Sequence, residues 1–238
     1  QPADAFVKEL MGGDDVLRQL GQVRVEAAMQ QLPPQFHADG QPTIACDKDL
    51  RQALSLLLQK DTPALIVMDG MSFDQWLCIK AELDLGGYDL HEDALFAWLP
   101  TLTSISRQSI FYASVPYYFA QHIGSTVKEP NHWQRYWEDN GVPSQSISYL
   151  RMDGTGDIGK ELEKQVNLRS ALVIGLVLNV IDDIMHGMNL GSAGMHSQIK
   201  HWVKQGYFAS LLQLLIDHGY TVWITSDHGN LECDGIGN

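Results

Sequence analysis

Three apolar runs in this chain end on aspartate: "ALIVMD" at Asp69, "GLVLNVID" at Asp182 and "TVWITSD" at Asp227. Histidine accompanies two of them. His228 follows Asp227 directly, and His186 lies four residues beyond Asp182 in "DDIMHG". Carboxylate and imidazole are hard or borderline ligands for divalent cations. Taken singly, each motif has a plainer account, because Asp, Gly and Asn are also turn formers and a four-residue spacing suits a surface pair on a helix. The repetition favours the metal. Ionised carboxylates gathered beside an apolar core cost on the order of several kcal/mol each unless something positive sits between them. Arg107 is the basic residue near these motifs. Neutral imidazole cancels no charge, but it is the commonest metal ligand. Acids interleaved with histidines therefore point to divalent metal rather than to a salt bridge.

A nucleophile for such a site is offered by "LPTLTSISRQ", which places Thr103 and Ser104 where an apolar run gives way to a helical pattern. A helix start presents free backbone N–H groups and the positive end of the helix dipole, so a phosphoryl group is welcome there. A hydroxyl bound to a metal loses its proton more readily and becomes a usable nucleophile. Either hydroxyl also suits a simple N-cap, so both acquire meaning only from the metal ligands.

The elements that must position these residues are legible as alternating apolar runs and helical patterns. "PALIVMDG" reads as a strand buried on both faces. A helix is expected from about Ser72 to Leu83, with Phe73, Trp76, Leu77 and Ile79 on its apolar side. "ALFAWLPTLT" is a second strand candidate, and "SISRQSIFYA" then reads as helix. "NHWQRYWEDNG" predicts a short aromatic helix closed by Asn140 and Gly141, and "SQSISYL" another strand. "GDIGKELEKQVN" predicts a polar surface helix, and "SALVIGLVLNVIDD" a central strand ending near Asp182. One or two helices are expected between Ser192 and His218, capped by Gly219, before the strand "TVWITSD".

The expected fold is α/β: a doubly wound, mostly parallel sheet with helices on both faces, preceded by an N-terminal helical segment over 1–60. In such sheets ligands bind at the carboxyl ends of the strands. If the three aspartate-ended strands are neighbours, their carboxylates converge there.

Composition bounds the partners. No apolar run approaches the ~18–20 residues of a membrane span. A formal net charge of −13 argues against strong independent DNA binding, which depends on a basic face and counterion release. Metal ions can still supply positive charge locally, so hydrolysis of a phosphate ester stays open. Cys46, Cys78 and Cys233 lie far apart in no metal or redox spacing, and their odd number points to a reducing cytoplasm. The opening "QPADAFVKEL", without Met, leads us to expect a fragment or a processed chain.

In order, "MDG", "PTLTSISRQ", "DDIMH" and "TSDHGN" resemble the motifs of the alkaline phosphatase superfamily. Within it, "SISRQSIF" and "KEPNHWQRYWEDNG" are similar to the PglZ domain of bacterial BREX phage-exclusion systems, with the resemblance covering about residues 61–238. The resemblance implies an alkaline-phosphatase-like core and a metal-dependent phosphoesterase. The expected activity is a phosphodiesterase or nuclease acting on nucleic acid or nucleotides in phage defence, beside other proteins of a defence complex. A phosphomonoesterase and a catalytically incomplete scaffold are the alternatives. Carried over by motif, Asp69, Asp227 and His228 hold one divalent ion together with the hydroxyl of the nucleophile Thr103, while Asp182 and His186 hold a second. Zinc is expected ahead of manganese. Ser106 falls where relatives often have an Asn that hydrogen-bonds the phosphate, and Arg107 is expected to help hold it. A further His downstream of the DHG motif usually completes the second ion's shell, and the ten residues after His228 contain none. Either the fragment excludes that ligand or the second shell is incomplete.

Overall fold

The computed structural model describes residues 62–83, 85, 90, 92, 101–113, 116–187 and 191–230. Four strands run parallel in one sheet: β1 (Pro63–Met68), β2 (Ile147–Met152), β3 (Val173–Leu178) and β4 (Thr221–Ser226), in the order β2-β3-β1-β4. The elements named here belong to one compact unit of the chain. Both inner strands, β1 and β3, are buried at every position. Such continuous apolar runs are what a strand covered on both faces requires.

Alternation along the strands divides the core in two. Ala64, Ile66, Met68, Ile174, Leu176 and Leu178 point to one face. There they meet Ile79 of helix α1 (Phe73–Glu82), Ile158 and Leu162 of α4 (Ile158–Gln165) and Ile181 of α5 (Val180–Gly187). Helices α6 (Gly191–Lys204) and α7 (Tyr207–Asp217) complete that layer. Leu65, Val67, Val173 and Val177 point the other way, onto Phe111 of α2 (Thr103–Tyr112) and Trp133 and Trp137 of α3 (Glu129–Asp139). The doubly wound reading holds.

Trp133 and Trp137 are core residues, edge-on to one another, and the Trp133 indole donates to the Ser148 carbonyl at 2.9 Å. Two expectations need correction. The strand expected to run to Asp182 stops at Leu178, and α5 begins at Val180. Val180 and Ile181 keep the apolar run going because they enter the same core from a helix. On α1 only part of the expected face is inside. Ile79 is buried, whereas Phe73 is 56% and Leu77 47% exposed, and the polar Gln75 takes the inward place. The strand expected over "ALFAWLPTLT" lies outside the described residues for 93–100, and Thr103 already belongs to α2. The N-terminal helical segment expected over 1–60 also lies outside them.

No helix among the described residues is long and apolar enough to cross a membrane.

Candidate active site

The strand register brings the acids together. Met68 of β1 pairs with Leu178 of β3 and Ser226 of β4, so the three strands end level, and Asp69 and Asp227 are the next residues of adjacent strands. Gly70 adopts a positive φ of 68°, which few side-chain-bearing residues tolerate. That turn aims its N–H at Asp227 Oδ1, 3.0 Å away, and the N–H of His228 reaches the same oxygen at 2.9 Å. Asp69 is held from the other face of the sheet, where Arg107 Nη1 donates to its Oδ2 at 2.5 Å.

Each carboxylate therefore has one oxygen engaged by protein donors. The other has no partner among the described residues: Asp69 Oδ1 and Asp227 Oδ2 are buried and accept nothing. Both face the same atom, His228 Nε2, at 3.9 and 3.7 Å. Imidazole Nδ1 lies 2.9 Å from the Gly229 carbonyl, which can only accept, so Nδ1 carries a proton and, in the neutral ring, the Nε2 lone pair faces the acids. Thr103 Oγ1 completes the group, 2.8 Å from Nε2. Ligand atoms of Asp69, Asp227 and His228 all lie within 4.8 Å of one another.

Unsatisfied buried carboxylate oxygens are costly. Burial, reinforced by the neighbouring Asp69 charge, pushes the Asp227 carboxyl up to about 7. Burial and Asp69 also raise Asp182, although His186 and His228 pull the other way. Two unpartnered carboxylate oxygens, an imidazole lone pair and a hydroxyl form a hard-to-borderline donor set, which fits a divalent ion such as zinc or manganese.

Thr103 is the first residue of α2, and the residue at the cap position is Leu102, whose side chain accepts nothing. Serine, threonine, aspartate or asparagine ordinarily occupies that place. The threonine hydroxyl is thus not a cap; it bonds the histidine.

Asp182 stands close by, in the first turn of α5. A side-chain carbon at Gly70 would touch both Asp182 Oδ1, at 3.5 Å, and His228 Cε1, at 3.6 Å. His186 Nε2 lies 3.4 Å from Asp182 Oδ1 on the same helix, and its side chain is 74% exposed. The second expected ligand pair therefore sits at the rim of the first group, with its histidine turned outward.

Ser106 is buried, 2% exposed. Arg107 is fully buried, and its Nε donates to Glu129 Oε1 at 2.8 Å while Nη1 holds Asp69. Burial works against its charge, but Glu129, Asp69 and Asp227 outweigh it and keep the guanidinium more basic than usual. Tyr149 donates to the other Glu129 oxygen at 2.6 Å. In this geometry the guanidinium is shared between two buried carboxylates as a fixed counter-charge, while its Nη2 has no hydrogen-bond partner among the described residues. Glu129 and Tyr149 were missed from the sequence. A lone Glu opening a helix ordinarily reads as solvated, and no spacing links it to Arg107.

Residues 50–237 match the BREX system PglZ alkaline phosphatase-like domain. The chain belongs to the PglZ family. A search of the curated proteins finds no match. Membership in an alkaline phosphatase-like family accords with the four-stranded parallel sheet and with a carboxylate–histidine group at the carboxyl ends of its strands. The PglZ domain thus has a phosphoesterase-superfamily fold, and the match connects it with a BREX system.

Proposed function

We propose that this PglZ domain is a metal-dependent phosphodiesterase that acts on nucleic acid or nucleotides in phage defence, with Thr103 as its nucleophile. One observation carries the reading: the unpartnered oxygens of Asp69 and Asp227 face the lone-pair nitrogen of His228, and the Thr103 hydroxyl lies 2.8 Å from that nitrogen. Asp69, Asp227, His228 and Thr103 would hold one divalent ion, and Asp182 with His186 a second. Bound there, such ions supply positive charge to phosphoryl oxygens and make the threonine hydroxyl more acidic.

Thr103 Oγ attacks phosphorus, and the Oγ–P bond forms as the P–O bond to the leaving alkoxide breaks. The hydroxyl proton passes to water, and the departing alkoxide takes a proton from water. A water molecule then attacks the phosphothreonine, its oxygen bonding to phosphorus as the P–Oγ bond breaks and the threonine hydroxyl is restored. The N-terminus of α2, beside Thr103, presents N–H groups with no side-chain cap to the phosphoryl oxygens.

Arg107 favours a diester over a monoester. A monoester dianion calls for an additional cation, and the fully buried Arg107 already gives Nη1 to Asp69 and Nε to Glu129, with only Nη2 unpartnered among the described residues. With a net charge of −13, the chain itself is poorly suited to clamp a duplex, so presentation of the substrate falls to other proteins of the defence complex.

Replacing Thr103 with Ala tests the reading. Turnover of bis(p-nitrophenyl) phosphate should drop at least about a thousandfold, with the circular-dichroism spectrum retained and zinc still bound, more weakly, through Asp69, Asp227 and His228. Undiminished turnover would refute the role of Thr103, and faster hydrolysis of the mono-nitrophenyl ester by the wild type would favour a monoesterase. Failure to bind zinc or manganese would leave a scaffold.

A further inference from the structure

Gln75 is a buried polar residue that the proposed chemistry does not use. It lies inside α1 with 1% of its surface exposed. Its amide pairs reciprocally with that of Asn230: Gln75 Nε2 donates to Asn230 Oδ1, and Asn230 Nδ2 donates to Gln75 Oε1, both at 3.0 Å. The backbone fixes which way round the pair sits. Ser72 N–H donates to Gln75 Oε1 at 2.9 Å, and Asn230 Nδ2 donates to the Gly70 carbonyl at 2.6 Å. Turning Gln75 over would set donor against donor at Ser72, and turning Asn230 over would set oxygen against oxygen at Gly70.

These contacts join the two loops that carry the candidate ligands. Gly70 follows Asp69 and holds Asp227 through its N–H, while Asn230 lies two residues beyond His228. Arg107 fixes Asp69 from the α2 face of the sheet; the amide pair holds the loops from the α1 face.

We infer that Gln75 and Asn230 are positioning residues, a clasp that sets the separation of the Asp69 loop from the Asp227–His228 loop and thereby the affinity for the divalent ion. The inference rests on the metal reading given above. Residues that orient ligands from behind are typically worth about 10–100-fold in metal affinity. Two such residues acting through one shared contact should not act additively.

The test is calorimetric titration of the metal-free chain with zinc or manganese alone, for the wild type, Gln75→Leu, Asn230→Ala and the double variant. Melting is followed in excess chelator. Each single variant should bind about 10–100-fold more weakly than wild type, and the double variant hardly more weakly than the worse single one. Turnover of bis(p-nitrophenyl) phosphate by Gln75→Leu should return toward the wild-type rate at saturating metal, which general damage to the fold would not allow. Should Gln75→Leu fail to fold, Asn230→Ala, at a half-buried loop position, carries the test. Wild-type affinity in the variants overturns the clasp and leaves the metal reading standing. Absence of binding in the wild type overturns both.

Discussion

Asp69 and Asp227 close adjacent parallel strands, and each turns its one unpartnered carboxylate oxygen toward Nε2 of His228, at 3.9 and 3.7 Å. Two buried acids converging on one imidazole repel each other, and the guanidinium nearby, Arg107, bonds only Asp69 of the two. Asp227→Asn should therefore stabilise the metal-free protein at pH 8 by about 1–3 kcal/mol, the range for relieving an unsatisfied buried polar group. The same change should abolish the stabilisation that zinc or manganese confers on wild type. Denaturant titration with and without metal reads both effects. A metal-free Asn variant less stable than wild type would contradict the repulsion.

The pH dependence has a definite sign. The Asp227 carboxyl is pushed up to about 7 by burial and by Asp69. The folded state therefore binds a proton more tightly than the unfolded chain, whose aspartates titrate near ~4. The stabilisation this contributes is complete below ~4 and is lost as pH rises through about 7. Glu129 and Asp182, both raised chiefly by burial, act in the same direction, whereas His132, held low chiefly by burial, opposes them below about pH 6.5. Asp74, Asp157 and Glu138 are held low, so their contributions change only below about pH 4.5. The metal-free protein should be more stable at pH 5 than at pH 8 by on the order of 2–4 kcal/mol. Metal should remove most of the difference, and its uptake at pH 6 should release a proton, seen as a buffer-dependent calorimetric heat. A metal-free protein that gains stability from pH 5 to pH 8 would oppose this account.

The parts of the fold that could be read from sequence are those whose burial is apolar and periodic. Pro63–Met68 is apolar at almost every position and lies between two other strands, so its run of side chains announced it. The end of β3 stayed hidden for the same reason, since Val180 and Ile181 continue the apolar run although they belong to a helix. The acids and histidines were visible because an apolar run stopping on a carboxylate is unusual. Arg107 was visible, but its role as a shared counter-charge was not. Its true partners, Asp69 and Glu129, are set by the packing of α2 and α3 on the sheet, and no spacing in the chain encodes that. Gln75 and Asn230 were missed by the rule that amides belong on surfaces, which holds until two of them satisfy each other.

Arg107 carries the largest predicted effect on stability. Replacing it with Met would leave Asp69 and Glu129 buried without their shared counter-charge, and breaking such a pair costs about 3–5 kcal/mol. Lysine should not rescue it, because one ammonium cannot span both carboxylates as the guanidinium fork does. Metal should offset part of the loss, through Asp69, but not the part due to Glu129. Urea denaturation of the two variants, with and without zinc, separates these contributions. Full recovery with zinc would mean that Glu129 needs no counter-charge.

Gly175, at the middle of β3, tests how tightly the nucleophile's helix is seated. A methyl group there would come 2.9 Å from Trp133 Cε2 and 3.2 Å from Phe111 Cε1. Phe111 closes the helix that begins at Thr103, and Trp133 and Tyr149 pack edge-on against it at 5.5 and 5.0 Å between centroids. None of these rings can withdraw, because Phe111 and Trp133 are wholly buried and Tyr149 is tied to Glu129. Gly175→Ala should therefore cost about 1–3 kcal/mol through overpacking. Because the strain falls on α2, it should also displace Thr103 from His228. Turnover of bis(p-nitrophenyl) phosphate should fall further than at an equally destabilising site remote from α2, such as Leu162→Ala on α4. Equal losses of turnover in the two variants would mean that α2 does not transmit the strain to Thr103.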